Sequence, residues 1–243
     1  MEETIQALKR ILDGSRDTIV LCGSGMTEES GFVGIKKPER AYEIECKYGA
    51  SPEEIFSSAY YSTRTEAFFE FYKNEILEHI PEPGESSYAL AAMEKAGRLQ
   101  CIVTSNVFEQ EQRGGCENVI NLHGTVFENR CPRCGERYSV EYMKNAKHMP
   151  YCSVCGAVIR PGVSLFGQMV DSRVMTRTTE EIEKADVLLL LGSTLRSDVF
   201  SNYLRYFNGS NLIIIHKEAH YTDTRADLTI LDEPRNVLRE LGY

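Results

Sequence analysis

The chain has 243 residues, 42% hydrophobic and 26% charged, an ordinary globular composition long enough to bury its own core. Its 27 Lys and Arg against 36 Asp and Glu leave a net charge of −9, which argues against a body built to coat a phosphate backbone. Apolar runs such as Val187 to Leu191, five residues long, fall far short of the ~20 that a membrane helix requires. Met1-Glu2-Glu3-Thr4 offers no basic segment leading into an apolar one, so no secretory signal is expected. The eight cysteines are therefore expected as reduced thiols or metal ligands in the cytoplasm.

In chain order, Ile5, Leu8, Ile11 and Leu12 make the apolar stripe of a first helix. Thr18-Ile19-Val20-Leu21-Cys22 follows as a strand-like run and opens into a glycine-rich loop. Ser51-Pro52-Glu53-Glu54 has the form of an N-cap, a proline at the first helical position and acids in the first turn. Apolar residues at 68, 69, 72, 76 and 80 mark a helix from Thr65 to Ile80, and Glu85 to Ala96 marks another, closed by Gly97. Two further apolar runs are Cys101 to Thr104 and Val119 to Leu122. After residue 160, a helix from Asp171 to Lys184 leads into the run Val187 to Leu191. Asp198 is expected to cap a helix reaching Phe207; Leu212 to Ile215 and Asp227 to Ile230 are the last strands, and Pro234 opens the last helix.

Runs that are apolar throughout, rather than alternating, suit strands covered on both faces. Their alternation with helices predicts an α/β fold, a doubly wound Rossmann-like parallel sheet. Only Arg130 to about Arg160, rich in Cys, Pro, Gly and Tyr, breaks the alternation. The expected organisation is a Rossmann-like domain over 1–129 and 161–243, with a helical insert at about 36–80, and a small zinc-binding module over 130–160.

Within that module, Cys131 and Cys134, then Cys152 and Cys155, form two C-x2-C pairs, each followed by a glycine. Two such knuckles supply the four soft ligands of a tetrahedral zinc ion. A full thiolate shell leaves no open position for water, so the zinc is expected to be structural, contributing on the order of 10 kcal/mol to folding. Cys22, Cys46, Cys101 and Cys116 lack such spacing and read as packing thiols. Arg130, Arg133 and Arg137 flank the first knuckle; in an acidic chain they read as a solvated face rather than a nucleic-acid surface.

In an open α/β sheet, ligands bind beyond the carboxyl ends of the strands. The first strand delivers Gly23-Ser24-Gly25-Met26-Thr27 and then Ser30-Gly31, where glycines admit a pyrophosphate and a helix start offers amide donors. Taken alone, a plain strand-to-helix turn would look the same. Thr104 delivers Ser105 and Asn106, and Leu191 delivers Gly192-Ser193-Thr194; such side chains suit ribose and phosphate oxygens, and equally suit helix caps. His123 follows a fourth strand, as a structural imidazole or as a base titrating near neutrality.

Together these segments resemble the sirtuin family of NAD-dependent protein lysine deacylases, in order and over nearly the whole chain. Gly23 to Gly31 is similar to the family's first glycine loop, Thr104-Ser105-Asn106-Val107 to its Thr-Gln-Asn-Ile segment, and Leu122-His123-Gly124 to its catalytic-histidine motif. The four zinc cysteines follow at family-like spacing. Arg160 to Gln168 resembles the acyl-peptide-binding stretch and includes Val163, Ser164 and Phe166. The resemblance implies NAD bound by Gly23, Ser24, Gly25, Met26, Thr27, Ser30, Thr104, Ser105, Asn106, His123, Gly192, Ser193, Thr194 and His216. It implies an acyl-lysine protein or peptide as substrate, held by strand-like pairing. His123 would take a proton from a ribose hydroxyl, so that the alkoxide attacks the acyl carbon after nicotinamide has left. Asn106 would position the ribose and the attacking water.

The departures from the family pattern are local. Phe32-Val33-Gly34-Ile35-Lys36 stands where the family has Ile-Pro-Asp-Phe-Arg, Ser105 replaces a glutamine, and Phe108 replaces an aspartate. Ser164 replaces an apolar channel residue, and His216 replaces an asparagine near the adenosine ribose. The losses cluster around nicotinamide. At ~1–3 kcal/mol per unsatisfied bond, two lost acceptors weaken productive NAD binding by ~10²-fold or more. A protein ADP-ribosyltransferase, a glycohydrolase, or a catalytically impaired binder of NAD or ADP-ribose are the alternatives on the same fold.

Overall fold

The structure, a computed structural model, describes residues 2–243. In chain order its strands are β1 (Thr18–Cys22), β2 (Cys101–Thr104), β3 (Val119–Asn121), β4 (Asn129–Arg130), β5 (Arg137–Tyr138), β6 (Val187–Leu191), β7 (Asn211–His216) and β8 (Leu228–Leu231). The chain forms two compact units. The first comprises the chain up to Gly31, Glu82–Leu122 and Asp171–Tyr243; the second comprises Phe32–Pro81 and His123–Val170.

The first unit is built on a six-stranded sheet in the order β3-β2-β1-β6-β7-β8, with every pairing parallel. All five residues of β1 and all five of β6 are buried, as their unbroken apolar character requires. Successive residues serve opposite faces. Val20, Ile102, Leu189 and Ile213 pack with Leu8, Leu90 and Leu238, from the helices Glu2–Gly14, Glu85–Lys95 and Pro234–Glu240. Leu21, Val103, Leu190 and Ile214 pack instead with Ile182, from the helix Ser172–Lys184, and with Phe200. Each fully buried Leu or Ile contributes ~1.5–3 kcal/mol, so this double-sided core is the main source of the unit's stability. Asp171 caps the helix that follows it, accepting from the Arg173 amide at 2.8 Å.

The expected cap at Asp198 is not formed. The helix there is only Ser201–Leu204, with Phe200 at its N-cap and no side-chain cap. Phe200 is drawn fully into the core, with Tyr203, Tyr206 and Phe207 partly buried beside it. These aromatics and Asn202 are weak helix formers, so packing rather than helical propensity sets the local path.

In the second unit, helix Thr65–Phe71 widens into a π turn at Tyr72–Ile76 and ends as the 3-10 turn Leu77–His79. Phe68, Phe69, Tyr72 and Ile76 are buried as their spacing requires. Phe68 stacks on Tyr72 at 5.6 Å and meets Tyr61 edge-on at 5.0 Å. The wider turn also carries Glu75 inside, to 3% exposure, where Arg40, Lys47 (2.8 Å) and the Tyr48 hydroxyl (2.6 Å) bind its carboxylate. From the same turn, Lys73 donates to the carbonyls of Ala146 (2.7 Å) and His148 (3.0 Å), just beyond the helix Val140–Asn145. β4 and β5 form a two-residue antiparallel ribbon, far too small to fold on its own core.

Candidate functional site

The ribbon's missing core is replaced by cysteines. Cys131, Cys134, Cys152 and Cys155 bring their sulfurs within 4.8 Å of one another. A tetrahedral zinc with ~2.3 Å bonds needs sulfurs ~3.8 Å apart; Cys131 and Cys155 stand at 3.4 Å, Cys134 and Cys152 at 3.5 Å. The two knuckles repeat one geometry. Gly135 and Gly156 donate to the carbonyls of Cys131 and Cys152, each at 2.9 Å, with φ of 79° and 72°. That left-handed backbone is why a glycine follows each pair. The Tyr138 hydroxyl donates to the Cys152 sulfur at 3.0 Å, orienting a ligand from outside the coordination shell. The donor set and spacing fit a structural zinc ion.

The first unit's sheet has its switch point between β1 and β6, where the strand order reverses direction, the place an open α/β sheet presents to a ligand. There the loops after the two strands meet backbone to backbone. Gly23 donates to Leu191 and Gly25 to Gly192, both at 2.9 Å. A Cβ on Gly25 would stand 2.6 Å from the Gly192 Cα, and Gly192 itself has φ +60°. The two glycines therefore make a seam that admits no side chain. Around it stand Ser24, exposed, and Ser193 and Thr194, half-buried. Met26 and Thr27 are buried instead, and Thr27 caps back onto the Ser24 carbonyl at 2.7 Å.

Asn106, 7% exposed, donates its side-chain amide to the Gly23 carbonyl at 3.1 Å, and its backbone N–H to the Thr104 hydroxyl at 3.2 Å. The Ser105 hydroxyl donates to the Cys22 carbonyl at 3.2 Å. Ser30 accepts from Gln110 at 2.8 Å. His216, at the end of β7, is 6% exposed and lies 3.1 Å from the Asp223 carboxylate. Phe108 is buried at 3% exposure, followed by Glu109 with φ 50°, the one non-glycine among the described residues with positive φ.

The second unit holds His123, half-buried, with the stretch that resembles a peptide-binding segment. The His123 carbonyl accepts from the Ser164 amide at 2.8 Å, and Gly124 bridges to Val163 in antiparallel fashion. Gly124 has φ +69°, and a Cβ there would lie 2.0 Å from the Gly162 oxygen, so this turn demands glycine. Val163 is buried, Ser164 half-buried, and Phe166 is 39% exposed with the Lys36 amine 4.3 Å above its ring. Burial, and secondly the Lys36 charge, hold the His123 pKa below the ordinary histidine value. Gly34, nearby in sequence, closes a turn by accepting from Lys37 at 2.9 Å.

The predicted residues thus fall into three clusters: the glycine seam with Asn106, the His123–Ser164 pairing, and the cysteine cage. His216 joins Asp223, a partnership the sequence did not disclose. Glu111 was also missed as part of the Asn106 cluster; an acid in a helix of four residues leaves no periodicity to mark it as buried. Cys22, Cys101 and Cys116 are packing thiols as expected, but Cys46 is exposed.

A parallel sheet with a glycine seam at its switch point, accompanied by a four-cysteine ribbon, defines an α/β nucleotide-binding class of protein. The Sir2 family model matches residues 23–198, and the chain belongs to that family. It is 32% identical over 237 residues to an NAD-dependent protein deacetylase of Clostridium acetobutylicum, covering 97% of each chain. To a protein of the same description in Clostridium tetani it is 31% identical, covering 99% of this chain and 100% of that one. A solved Sir2 enzyme superposes with a TM-score of 0.84 at 27% identity, covering 100% of this chain and 99% of that one. Another Sir2 structure, holding a deacetylated peptide and 3′-O-acetyl-ADP-ribose, superposes at 0.84 with 25% identity, covering 98% and 97%. No helix among the described residues is long and apolar enough to cross a membrane.

Proposed function

We propose that this chain is an NAD-dependent protein lysine deacylase of the cytoplasm, which transfers the acyl group of an acyl-lysine protein or peptide to ADP-ribose with release of nicotinamide. One observation supports the reading above the others. His123 and Ser164 share a backbone hydrogen bond, so a half-buried imidazole and the acyl-peptide-like segment form one rigid element. The near-full-length likeness to proteins named NAD-dependent protein deacetylases agrees with it.

Bound NAD would supply the ribose carbon that accepts the acyl oxygen and the hydroxyl that next attacks the acyl carbon. Ser24, Ser193 and Thr194 would hold its phosphates and ribose beside the glycine seam, with Asn106 fixed by Gly23. His216 would meet the adenosine side, oriented by Asp223. His123, kept neutral by burial and by Lys36, accepts a proton at a ring nitrogen, the role of a general base. Val163, Ser164 and Phe166 would line the lysine, their backbone presenting an edge for strand-like pairing. With Phe108 in place of an acceptor and Ser105 in place of a longer amide, nicotinamide is held weakly, and turnover is expected to be slow and to need high NAD.

The test is deacylation of an acetyl-lysine peptide with NAD, followed by mass spectrometry. His123→Ala should lower the rate by ~10²–10⁴-fold while ADP-ribose still binds in calorimetry. Transfer of ADP-ribose onto protein without loss of the acetyl group would establish an ADP-ribosyltransferase instead. ADP-ribose binding with no turnover would establish a catalytically impaired binder.

A further inference from the structure

Glu111 stands beyond the strand end that carries Asn106, and nothing above gives it a task. The short helix Gln110–Arg113 turns it inward to 0% exposure. Glu75, the other buried carboxylate among the described residues, has Arg40 and Lys47 to neutralise it. Glu111 is surrounded instead by the Thr104 hydroxyl, the Cys22 thiol and the Asn106 side chain. Its Oε2 makes no hydrogen bond. Burying an unpaired carboxylate is costly, so burial pushes the Glu111 pKa above the carboxylate range.

The geometry links this group to the glycine seam. Thr104 Oγ1 donates to Glu111 Oε1 at 3.3 Å while accepting the Asn106 backbone N–H at 3.2 Å. Asn106 then donates its side-chain amide to the Gly23 carbonyl at 3.1 Å. One hydroxyl therefore ties the carboxyl to the backbone of Asn106, and the carboxyl also borders that residue's side chain. We propose that Glu111 is a positioning residue: through Thr104 and by direct contact, it locks the Asn106 carboxamide against Gly23 in the orientation that serves the ribose half of the reaction. The proposal rests on the deacylase reading and goes beyond it, because it assigns a task to a side chain that reaches no substrate.

If hydrogen bonding is what Glu111 supplies, glutamine replaces it and leucine does not, although both match its volume. A purely space-filling role predicts the reverse tolerance for leucine. The experiment uses the full chain as wild type, Glu111→Gln and Glu111→Leu. It measures kcat and KM with an acetyl-lysine peptide and NAD, thermal unfolding, and the Asn106 side-chain amide pair in ¹⁵N spectra, assigned by its loss in Asn106→Ser. Expected are a kcat within about threefold of wild type for Glu111→Gln, and a fall of about tenfold or more for Glu111→Leu with KM nearly unchanged. The Asn106 amide pair should persist in Glu111→Gln and collapse to solvent-averaged positions in Glu111→Leu. A Glu111→Leu variant that keeps both its kcat and the Asn106 signal would overturn the proposal, as would equal losses of rate and melting temperature in both variants. A wild type without deacylation sinks the deacylase reading alone, because the amide signals still report whether Glu111 holds Asn106.

Discussion

The six-stranded sheet and the cysteine ribbon order their chain by opposite means. In the sheet, β1 and β6 are buried along their whole length, and every apolar side chain adds its share to a core on both faces. In the ribbon, two strands of two residues each have almost no core, and four sulfurs within 4.8 Å of one another do the same work through a cation. The lesson is that the sheet's stability is spread over many buried side chains, whereas the ribbon's is concentrated at one site.

Four experiments bear on that contrast, in order of falling effect. Cys152→Ser should abolish stoichiometric zinc, measured by elemental analysis, and remove hydrogen-exchange protection across 129–160, while β1, β6 and β7 keep theirs. Protection lost in the sheet as well would break the contrast. Gly25→Ala should act in the opposite place: its Cβ would meet the Gly192 backbone at 2.6 Å, at a cost of ~1–3 kcal/mol in thermal unfolding, with zinc content unchanged. Tyr138→Phe removes the hydroxyl that donates to the Cys152 sulfur, and zinc release to a chelator should be about tenfold faster, with the sheet unaffected.

The smallest effect concerns pH. On the deacylase reading neutral His123 is the working form, and its pKa lies below the ordinary value first through burial and second through Lys36. Activity should therefore be retained at neutral pH and lost as pH falls through that depressed pKa. Lys36→Met removes only the secondary cause, so the acid limb of the rate profile should move up by a fraction of a pH unit. A limb that stays in place would show that burial alone sets the pKa.

The sheet was legible wherever strands are apolar throughout: β1, β2 and β6 run over the residues that composition marked. The cysteine cage was legible because metal ligation dictates spacing. The helix from Thr65 was placed correctly by its buried positions, but its π turn was not, because the inward turn of Glu75 depends on Arg40 and Lys47, brought close only by folding. The Asp198 helix failed for a related reason: Phe200 responds to the core, not to its sequence neighbours. In the candidate site, strand ends and glycines pointed to a ligand, and the roles came from likeness to a family. Asp223 behind His216 and Glu111 behind Asn106 stayed hidden, since each is a polar side chain whose partner is fixed by tertiary structure.

The Lys73 bond to the Ala146 and His148 carbonyls carries a consequence of its own. It is a staple made from a lysine amine, the group that the proposed activity would free of its acyl cap. An acyl cap on that amine would erase its charge and two of its three donor hydrogens, handing the carbonyls back to water. The protein's own modification state would thus be written directly into how its second unit is fastened together.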